Sequence, residues 1–374
     1  LGLNVMIFSD NVSIEDELHL KTRAHSFGLL VMGPDCGTSI IDGVPLGFAN
    51  SVEPGPVGII SASGTGLQQV ASMLDNFGVG IAQAIGTGGR DLNSHVGGAT
   101  TKQALLMLAD DPQTDVIILI SKPPEKGVAQ SVVEVASQID KEVIVCFIGE
   151  SDIEVPEEKF LIVSTLEDAA LSAAKLVGVE VTSPELPLEV FDLAGKRSSR
   201  RRYLRGLYSG GTFCAEAISL LAPKLEDLYS NVLVGGVSQL SDIRISQGNT
   251  LLDLGEDEFT RGRPHPMIDH SLRNDRLLLE AADSETAIIL VDVVLGSGAH
   301  ADPVGAMVET LGKIKESCVA GDGWPKIVGF VCGTETDPQG VSRQKMALKA
   351  CGVIVAENST HAVRVAAELM KEQG

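Results

Sequence analysis

An internal repeat constrains the fold of this chain more than any single motif does. Residues 104–120 match residues 276–292 at a constant offset of 172 positions (276 − 104), and both stretches run from a helix-like segment into a row of aliphatic residues. Val143–Ile148 and Ile327–Cys332 repeat a second strand-like run further along the chain. Self-similarity of this kind predicts two copies of one α/β unit within the 374 residues.

Strand-like and helix-like segments alternate in each copy. Val116–Ile120 is a run of aliphatic residues, which is typical of a parallel-sheet strand that is buried on both faces. The alternation predicts a doubly wound parallel α/β sheet in each copy. The expected domains are a strand–helix–strand unit at 1–34, the first copy at 35–180, a linker at 181–203 and the second copy at 204–374.

Two stretches are expected to lack regular structure. Residues 38–56 hold Pro45, Pro54 and Pro56 with several glycines, and they predict a loop-rich crossing. The basic run Lys196–Arg202 is expected to lie exposed in the linker, the alternative being a contact with nucleic acid.

Composition excludes several classes of partner. The formal net charge of −21 at pH 7 argues against binding to a nucleic-acid backbone or to an anionic membrane. No apolar run reaches the roughly 18 residues of a membrane-spanning helix, and no signal peptide is visible. The six cysteines are scattered and form no Cys-x-x-Cys pair, so we expect reduced thiols, no metal site and a cytoplasmic protein. Because Leu1 directly precedes a predicted strand, we expect the chain to be cut from a longer one.

The turn Ser61-Ala-Ser-Gly-Thr-Gly66 links an apolar strand to a helix-like segment. A helix N-terminus presents free N–H groups at the positive end of the helix dipole, and it attracts phosphate or carboxylate. Ser63, Gly64 and Thr65 are therefore candidate phosphate ligands, the alternative being ordinary N-capping. A similar turn, Ser209–Thr212, follows at an offset of 148 residues (209 − 61) and favours a functional role.

A second candidate lies in the loop Gly296–Asp302, which follows the predicted central strand of the second copy, Ile288–Val294. Ligands of open α/β sheets bind at the carboxyl ends of the strands. His300 is therefore a candidate base, nucleophile or phosphate donor; alternatively it is a surface histidine that caps the following helix. The N–H groups beside it are candidate anion donors, namely those of Gly298, Ala299 and Ala301.

Two further loops carry candidate substrate contacts. Arg261 and Arg263 lie between glycine and prolines, and arginine suits bidentate contact with a carboxylate or a phosphate. The alternative is a rigid exposed loop whose arginines pair with the acidic stretch Asp253–Glu258. The comparable loop of the first copy contributes Gly88, Gly89 and Arg90.

Taken together, these motifs resemble the succinyl-CoA synthetase superfamily. Gly33-Pro-Asp-Cys36, the turn Ser61–Gly66, Gly86–Gly89 and Asp111-Pro-Gln-Thr-Asp115 are similar to the synthetase α subunit. Residues 204–374 resemble the C-terminal ligase domain of the β subunit. The order of the pieces is most similar to the FdrA proteins, an acyl-CoA synthetase-like branch.

The resemblance implies two tandem flavodoxin-like domains, preceded by the tail of a Rossmann-type domain that binds coenzyme A (CoA). It implies that helices beginning at Ser63 and near Gly298 aim their N-termini at one phosphoryl site. It also implies partner subunits or an oligomer, and a CoA thiol that lies near Pro34, Asp35 and Cys36.

Two parts of the synthetase mechanism are missing from the sequence. The synthetases carry a phosphorylated histidine after the strand that matches Val143–Ile148, whereas Gly149–Glu158 contains no histidine. No ATP-grasp domain is recognisable either. The resemblance therefore implies an acyl-CoA synthetase-like protein that handles an acyl group, CoA and phosphate without that histidine. The alternatives are a phosphate-dependent acyl or carbamoyl transferase subunit and a non-catalytic scaffold or regulatory subunit.

Overall fold

The computed structural model describes residues 1–149 and 160–371. The chain divides into two compact units, Leu1–Thr182 and Ser183–Gly374. The loop that lacks the expected histidine lies almost wholly outside the described residues. No described helix is long and apolar enough to cross a lipid bilayer.

The first unit opens with the predicted strand–helix–strand motif. β1 (Val5–Met6) and β2 (Val31–Met32) pair in parallel, and α1 (Ile14–His25) connects them. Ser13 caps α1, its hydroxyl oxygen accepting from the N–H of Asp16 at 3.1 Å.

The rest of the first unit is a doubly wound sheet. Its elements in chain order are β3 (Thr38–Ile41), β4 (Val44–Gly47), β5 (Pro54–Ser61), α2 (Gly64–Asn76), β6 (Ile81–Gly86), α3 (Ala99–Asp110), β7 (Val116–Ser121), α4 (Lys126–Ala136), β8 (Glu142–Phe147), β9 (Phe160–Val163) and α5 (Leu166–Leu176). Among the described residues the strand order is β4-β3-β6-β5-β7-β8-β9. The run β6-β5-β7-β8-β9 is parallel and has the flavodoxin-like order, as predicted.

The hairpin β3–β4 corrects the prediction of a loop-rich crossing at 38–56. Asp42 and Gly43 both have positive φ, at 49° and 75°, which is the two-residue turn that Asp-Gly favours between antiparallel strands. Pro45 is tolerated because β4 is an edge strand. β3 joins the sheet by pairing antiparallel with β6, Ile40 opposite Ala84.

The second unit repeats this architecture. Its elements are α6 (Leu188–Leu193), β10 (Tyr203–Tyr208), α7 (Gly211–Leu221), β11 (Leu228–Ser230), β12 (Ser238–Gln239), β13 (Asn249–Asp253), α8 (Asp257–Thr260), α9 (Ser271–Ala282), β14 (Thr286–Val294), a 3-10 helix (Gly305–Met307), α10 (Val308–Ala320), β15 (Lys326–Cys332), α11 (Val341–Ala350), β16 (Ile354–Ala356) and α12 (Ser359–Met370). The strand order among the described residues is β12-β11-β13-β10-β14-β15-β16. The core run β13-β10-β14-β15-β16 therefore matches that of the first unit.

Helix starts and strand pairing fix how the two copies align. Gly98 and His270 are the N-caps of α3 and α9, an offset of 172 residues (270 − 98) that confirms the repeat. Ser63 and Gly210 are the N-caps of α2 and α7, an offset of 147 (210 − 63). The predicted match of Ser209 with Ser61 is therefore wrong by one residue, and Ser209 stands where the first copy has Ala62.

The basic run at 196–202 is not simply exposed. Arg197 donates to the carbonyl oxygen of Met370 at 2.9 Å. Arg201 is an ion-pair partner of Asp322 at 3.1 Å and donates to the carbonyl oxygen of Trp324 at 3.0 Å. These two arginines are bound into the second unit, because their guanidinium groups satisfy carbonyl oxygens at its edge.

Candidate functional site

The first unit has an open helix N-terminus at the predicted turn. Ser63 caps α2, its hydroxyl oxygen accepting from the N–H of Gly66 at 3.0 Å. Ser61 accepts from the N–H of Ser63 at 3.0 Å. The N–H groups of Gly64 and Thr65 donate to no other described residue, and Gly64 is exposed. Two amides thus remain available to an anion at the positive end of α2.

The turn that contains Pro34 packs directly against the Gly86–Gly89 loop. A Cβ atom at Gly88, where φ is +90°, would overlap the carbonyl oxygen of Pro34. At Gly89 it would lie 2.6 Å from a carboxylate oxygen of Asp35. Two motifs that are some fifty residues apart in sequence are therefore adjacent because both glycines lack a side chain.

The thiol of Cys36 lies inside this cluster. Cys36 is 2% exposed, and its sulfur donates to the carbonyl oxygen of Gly86 at 3.4 Å. Burial raises the pKa of Cys36, while a hydrogen bond from Ser39 opposes the rise. Cys36 is therefore a buried, protonated thiol rather than a nucleophile.

Arg90, the cation of this loop, is directed toward α1. Arg90 pairs with Glu17 of α1 at 3.1 Å and donates to the carbonyl oxygen of Val12 at 2.7 Å. Lys21, also on α1, is buried between Glu17 at 2.8 Å and Asp91 at 2.7 Å. These charges fasten α1 to the loop, so the guanidinium of Arg90 is already engaged.

In the second unit the corresponding turn has different hydrogen-bond partners. Asp292 is fully buried on β14 and accepts from the N–H of Ser209 at 2.9 Å and from the N–H of Gly210 at 3.0 Å. The hydroxyl of Ser209 donates to the same carboxylate at 2.7 Å. The first copy has Ile120 at the position of Asp292, 172 residues earlier, and there the N–H of Ala62 donates to the backbone carbonyl of Ile120. A carboxylate thus lies beside the start of α7, at the position where the first unit has the backbone carbonyl of Ile120.

Asp292 is the first member of a buried chain of polar groups. Arg273 of α9 is 0% exposed and pairs with Asp292 at 2.8 Å. Its other terminal nitrogen contacts Nδ1 of His270 at 2.9 Å. Sequence reasoning missed all three residues, although one signal was available: Asp292 is a charged residue within a strand of nine buried residues that is apolar apart from Thr286 and Asp292 itself.

His270 is held neutral in one tautomer. A guanidinium can only donate, so Nδ1 of His270 accepts and the proton resides on Nε2. Burial lowers the pKa of His270 to about 2, helped by the nearby Arg273 and His300. Nε2 is buried and has no hydrogen-bond partner among the described residues.

His300 lies next to His270, their ring centroids 5.4 Å apart. Its Nδ1 accepts from the N–H of Asp302 at 3.0 Å, which leaves the proton on Nε2 here too. The N–H of His300 donates to Met267 and its carbonyl oxygen accepts from Gln339. An Nε2 that carries a proton has no lone pair to attack phosphorus, so this arrangement favours the predicted donor role over the nucleophile role.

The prediction that a helix begins near Gly298 is wrong. A 3-10 helix begins at Gly305 and α10 only at Val308. Pro303 disfavours a helical conformation at Asp302. The carboxylate of Asp302 accepts from the N–H of Gly305 at 3.3 Å, where the loop ends and the 3-10 helix begins. Three candidate donors therefore lie in a loop rather than at a helix start, namely Gly298, Ala299 and Ala301.

The remaining candidates of the second unit are on its surface. Arg261 and Arg263 are exposed, and neither forms an ion pair with another described residue, Asp253–Glu258 included. Arg263 lies near Asp269, whose pKa it lowers after the larger effect of a hydrogen bond from Ser271. Whether they contact a substrate stays a prediction.

Among the described residues no cluster of His, Cys, Asp and Glu side chains suits a metal ion. None of the six cysteines, all of which lie in that part of the chain, forms a disulfide.

Comparison with known proteins decides the family. Over 373 residues the chain is 44% identical to the uncharacterized protein YahF of Escherichia coli (strain K12), covering 98% of this chain and 72% of YahF. The chain belongs to the YahF family. Two sequence models match within it: that of the CoA binding domain at residues 52–149 and that of the CoA-ligase family at residues 207–369. Membership of the wider CoA-ligase superfamily is confirmed, whereas the specific likeness to FdrA proteins stays a prediction.

More distant relatives match about a third of this chain. The succinate–CoA ligase [ADP-forming] subunit alpha 2 of Archaeoglobus fulgidus is 30% identical over 125 residues, which is 32% of this chain and 42% of that protein. The malate–CoA ligase subunit alpha of Methylorubrum extorquens is 28% identical over 125 residues, 32% of this chain and 41% of that protein. The chain therefore spans less than half the length of these ligase subunits.

Among solved structures, the chain is similar to a dinucleotide-forming acetyl-coenzyme A synthetase 1 of Ca. Korarchaeum cryptofilum, solved in complex with phosphate and ADP. The match covers 98% of this chain and 77% of the synthetase chain. The sequence identity is 16% and the TM-score 0.38, too low to support an argument about function.

Proposed function

We propose that this protein is an acyl-CoA synthetase-type enzyme whose first unit binds the phosphate group of a substrate at the N-terminus of α2. The observation that carries the proposal is the pair of uncommitted N–H groups at Gly64 and Thr65, held open by the Ser63 cap. The match to the CoA binding domain, residues 52–149, includes this turn and the Gly86–Gly89 loop. A chain of net charge −21 has to hold an anion through local dipoles of this kind.

The chemistry of the turn suits acyl transfer between phosphate and a thiol. N–H groups aimed at a phosphate stabilise the charge that develops on it as the acyl group leaves. Cys36 stays protonated and buried, so the acyl acceptor is the thiol of CoA rather than a thiol of the protein. We place CoA near Pro34 and Asp35 of the same cluster, of which Asp35 is exposed and Pro34 is buried.

A second candidate, phosphate-dependent acyl or carbamoyl transfer, is favoured by the absence of histidine from Gly149–Glu158. Such a transfer needs the anion site but no phosphohistidine. In either case we propose that further subunits take part, since the ligase relatives named above are subunits.

Ligand-dependent thermal unfolding of the whole chain tests the proposal, with CoA, phosphate, acetyl phosphate, carbamoyl phosphate and ATP as separate ligands. A ligand at 100 times its dissociation constant stabilises the fold by about 2.7 kcal/mol. Stabilisation by CoA supports the synthetase-type function, and stabilisation by phosphate or acyl phosphates alone supports transfer. No stabilisation by any of the five contradicts both and favours a non-catalytic subunit.

A further inference from the structure

The second unit carries a buried polar chain that the fold itself does not require. The positions of His270, Arg273 and Asp292 correspond, at the offset of 172, to Gly98, Thr101 and Ile120 in the first unit. Both units form the same sheet with their α3 and α9 helices in the same place. The first unit therefore shows that this architecture forms without these three residues.

A structural role accounts for Asp292 and Arg273 but not for His270. Ser61 accepts from the N–H of the α2 N-cap, and the second unit has the buried Tyr208 at that position, so Asp292 supplies the missing acceptor for Gly210. A buried carboxylate needs a counter-ion, so this role also explains Arg273, but it does not require His270. A fully buried ion pair is weak evidence for stability, because desolvation of the two charges offsets their attraction.

His270, the last member of this buried polar chain, is the residue that points to a ligand. His270 is 3% exposed, and its Nε2–H donor has no partner among the described residues. An unpaired buried donor costs about 1–3 kcal/mol and calls for an explanation. The group lies on α9 close to the carboxyl end of β14, the edge where open parallel sheets bind ligands.

We propose that the second unit holds a ligand site in which Nε2–H of His270 donates to an oxygen atom of the ligand. Arg273 and Asp292 are its positioning residues: the ion pair fixes the guanidinium, and the guanidinium fixes the tautomer of the imidazole. The ligand class is a small molecule with a carbonyl, carboxylate or phosphoryl oxygen. The choice of an acyl phosphate as the preferred member rests on the function proposed above.

His300 is the side chain that covers the site. Its ring contacts His270 and is itself only half-buried, so solvent reaches the pair from the side of His300. The proposal places the entrance of the site at His300, whose own Nε2–H offers the ligand a second donor.

Nitrogen-15 NMR of the whole chain, labelled at its seven histidines, tests the site. The His270→Gln variant assigns the resonances of His270. We expect the Nε2–H tautomer of His270 in the free protein, and a shift of that resonance when acetyl phosphate, phosphate or acetate is added. A tautomer protonated on Nδ1, or no shift with any of the three ligands, overturns the proposal.

The tautomer of His270 also tests whether Asp292 and Arg273 are positioning residues. Asp292→Asn and Arg273→Lys should each admit the Nδ1–H tautomer of His270, which a merely structural role would not predict. His300→Ala should leave the tautomer unchanged but speed solvent exchange of Nε2–H. If the tautomer stays fixed in a folded Arg273→Lys protein, Arg273 is not a positioning residue and that part of the proposal is wrong.

Affinity separates this inference from the function proposed for the first unit. His270→Phe, which keeps a ring but removes the Nε2–H donor, should weaken acetyl phosphate binding to the second unit about tenfold, the value of one hydrogen bond. The matched control is His361→Phe, which replaces another buried histidine of the same unit. A ligand that shifts the amide of Gly64 but not His270 contradicts the inference alone. Shifts at His270 without any at Gly64 support it and contradict the proposed function.

Discussion

At the scale of single residues, the main difference between the two copies is electrostatic. Neutral side chains, Ser63 and Ile120, contact the start of α2, whereas the start of α7 lies against the carboxylate of Asp292. A helix N-terminus favours a negative charge nearby. In the second unit the protein supplies that charge itself, and for the first unit we propose that a ligand supplies it.

Breaking the buried ion pair should be costly. We expect Asp292→Asn to lower the free energy of unfolding by about 3–5 kcal/mol, because it leaves the guanidinium of Arg273 buried without a counter-ion. The control is Glu309→Gln, which removes an exposed pair with Lys313 and should cost at most about 0.5 kcal/mol. Urea unfolding measures both. Equal costs for the two variants would contradict the buried-pair account.

His270 predicts a dependence of stability on pH. Its pKa in the folded protein is lowered to about 2 by burial, with Arg273 and His300 adding to the effect, so the unfolded chain binds a proton that the folded chain does not. Stability should therefore fall as the pH drops below about 6.5, by about 1.4 kcal/mol per pH unit for this residue. His270→Gln should fall less steeply between pH 6.5 and 5.5. Parallel pH profiles of the two proteins would show that His270 titrates normally.

At the scale of elements, the candidate site of the first unit depends on a close contact between two loops. Gly88 has φ +90°, and a side chain there would meet the backbone of Pro34, whereas Gly97 has φ +67° and open space around it. We expect Gly97→Ala to cost about 1–2 kcal/mol for the left-handed backbone alone. Gly88→Ala should cost more and weaken ligand binding, which calorimetric unfolding and titration measure. Equal effects of the two variants would mean that the loops do not need their contact.

Sequence patterns predicted most of the elements and part of the candidate site. Buried parallel strands such as Val116–Ser121 are recognisable because local hydrophobicity fixes them. The hairpin at 38–47 was missed because Pro45, with Pro54 and Pro56 further along the stretch 38–56, outweighed the Asp42-Gly43 turn signal. The false helix start near Gly298 was implied by the family resemblance and did not take Pro303 into account.

The polar chain of the second unit could not be predicted in the same way. Asp292, Arg273 and His270 lie on β14, on α9 and at its N-cap, so only the packing of a helix on a strand brings them together. A charged residue within an apolar strand is a signal that something pairs with it, but the sequence does not name the partner.

At the scale of the whole molecule, two copies of one fold differ in the polar groups near their helix starts. In the first unit α1 is fastened by Lys21, and an open turn is left at α2. In the second unit a carboxylate occupies the corresponding place, and a histidine donor is left at the strand edge. The account therefore predicts that an anion binds the first unit through the helix N-terminus.

Isothermal titration of the whole chain with inorganic phosphate tests that claim most directly. The variant Ser63→Ala/Thr65→Val removes the cap oxygen and a hydroxyl at the start of α2, and Ser13→Ala removes a cap oxygen of the same kind from α1. We predict that the double variant weakens phosphate binding about tenfold, since about 1.4 kcal/mol of hydrogen bonding is lost, and that Ser13→Ala leaves it unchanged. Phosphate binding of equal strength in all three proteins would contradict the account.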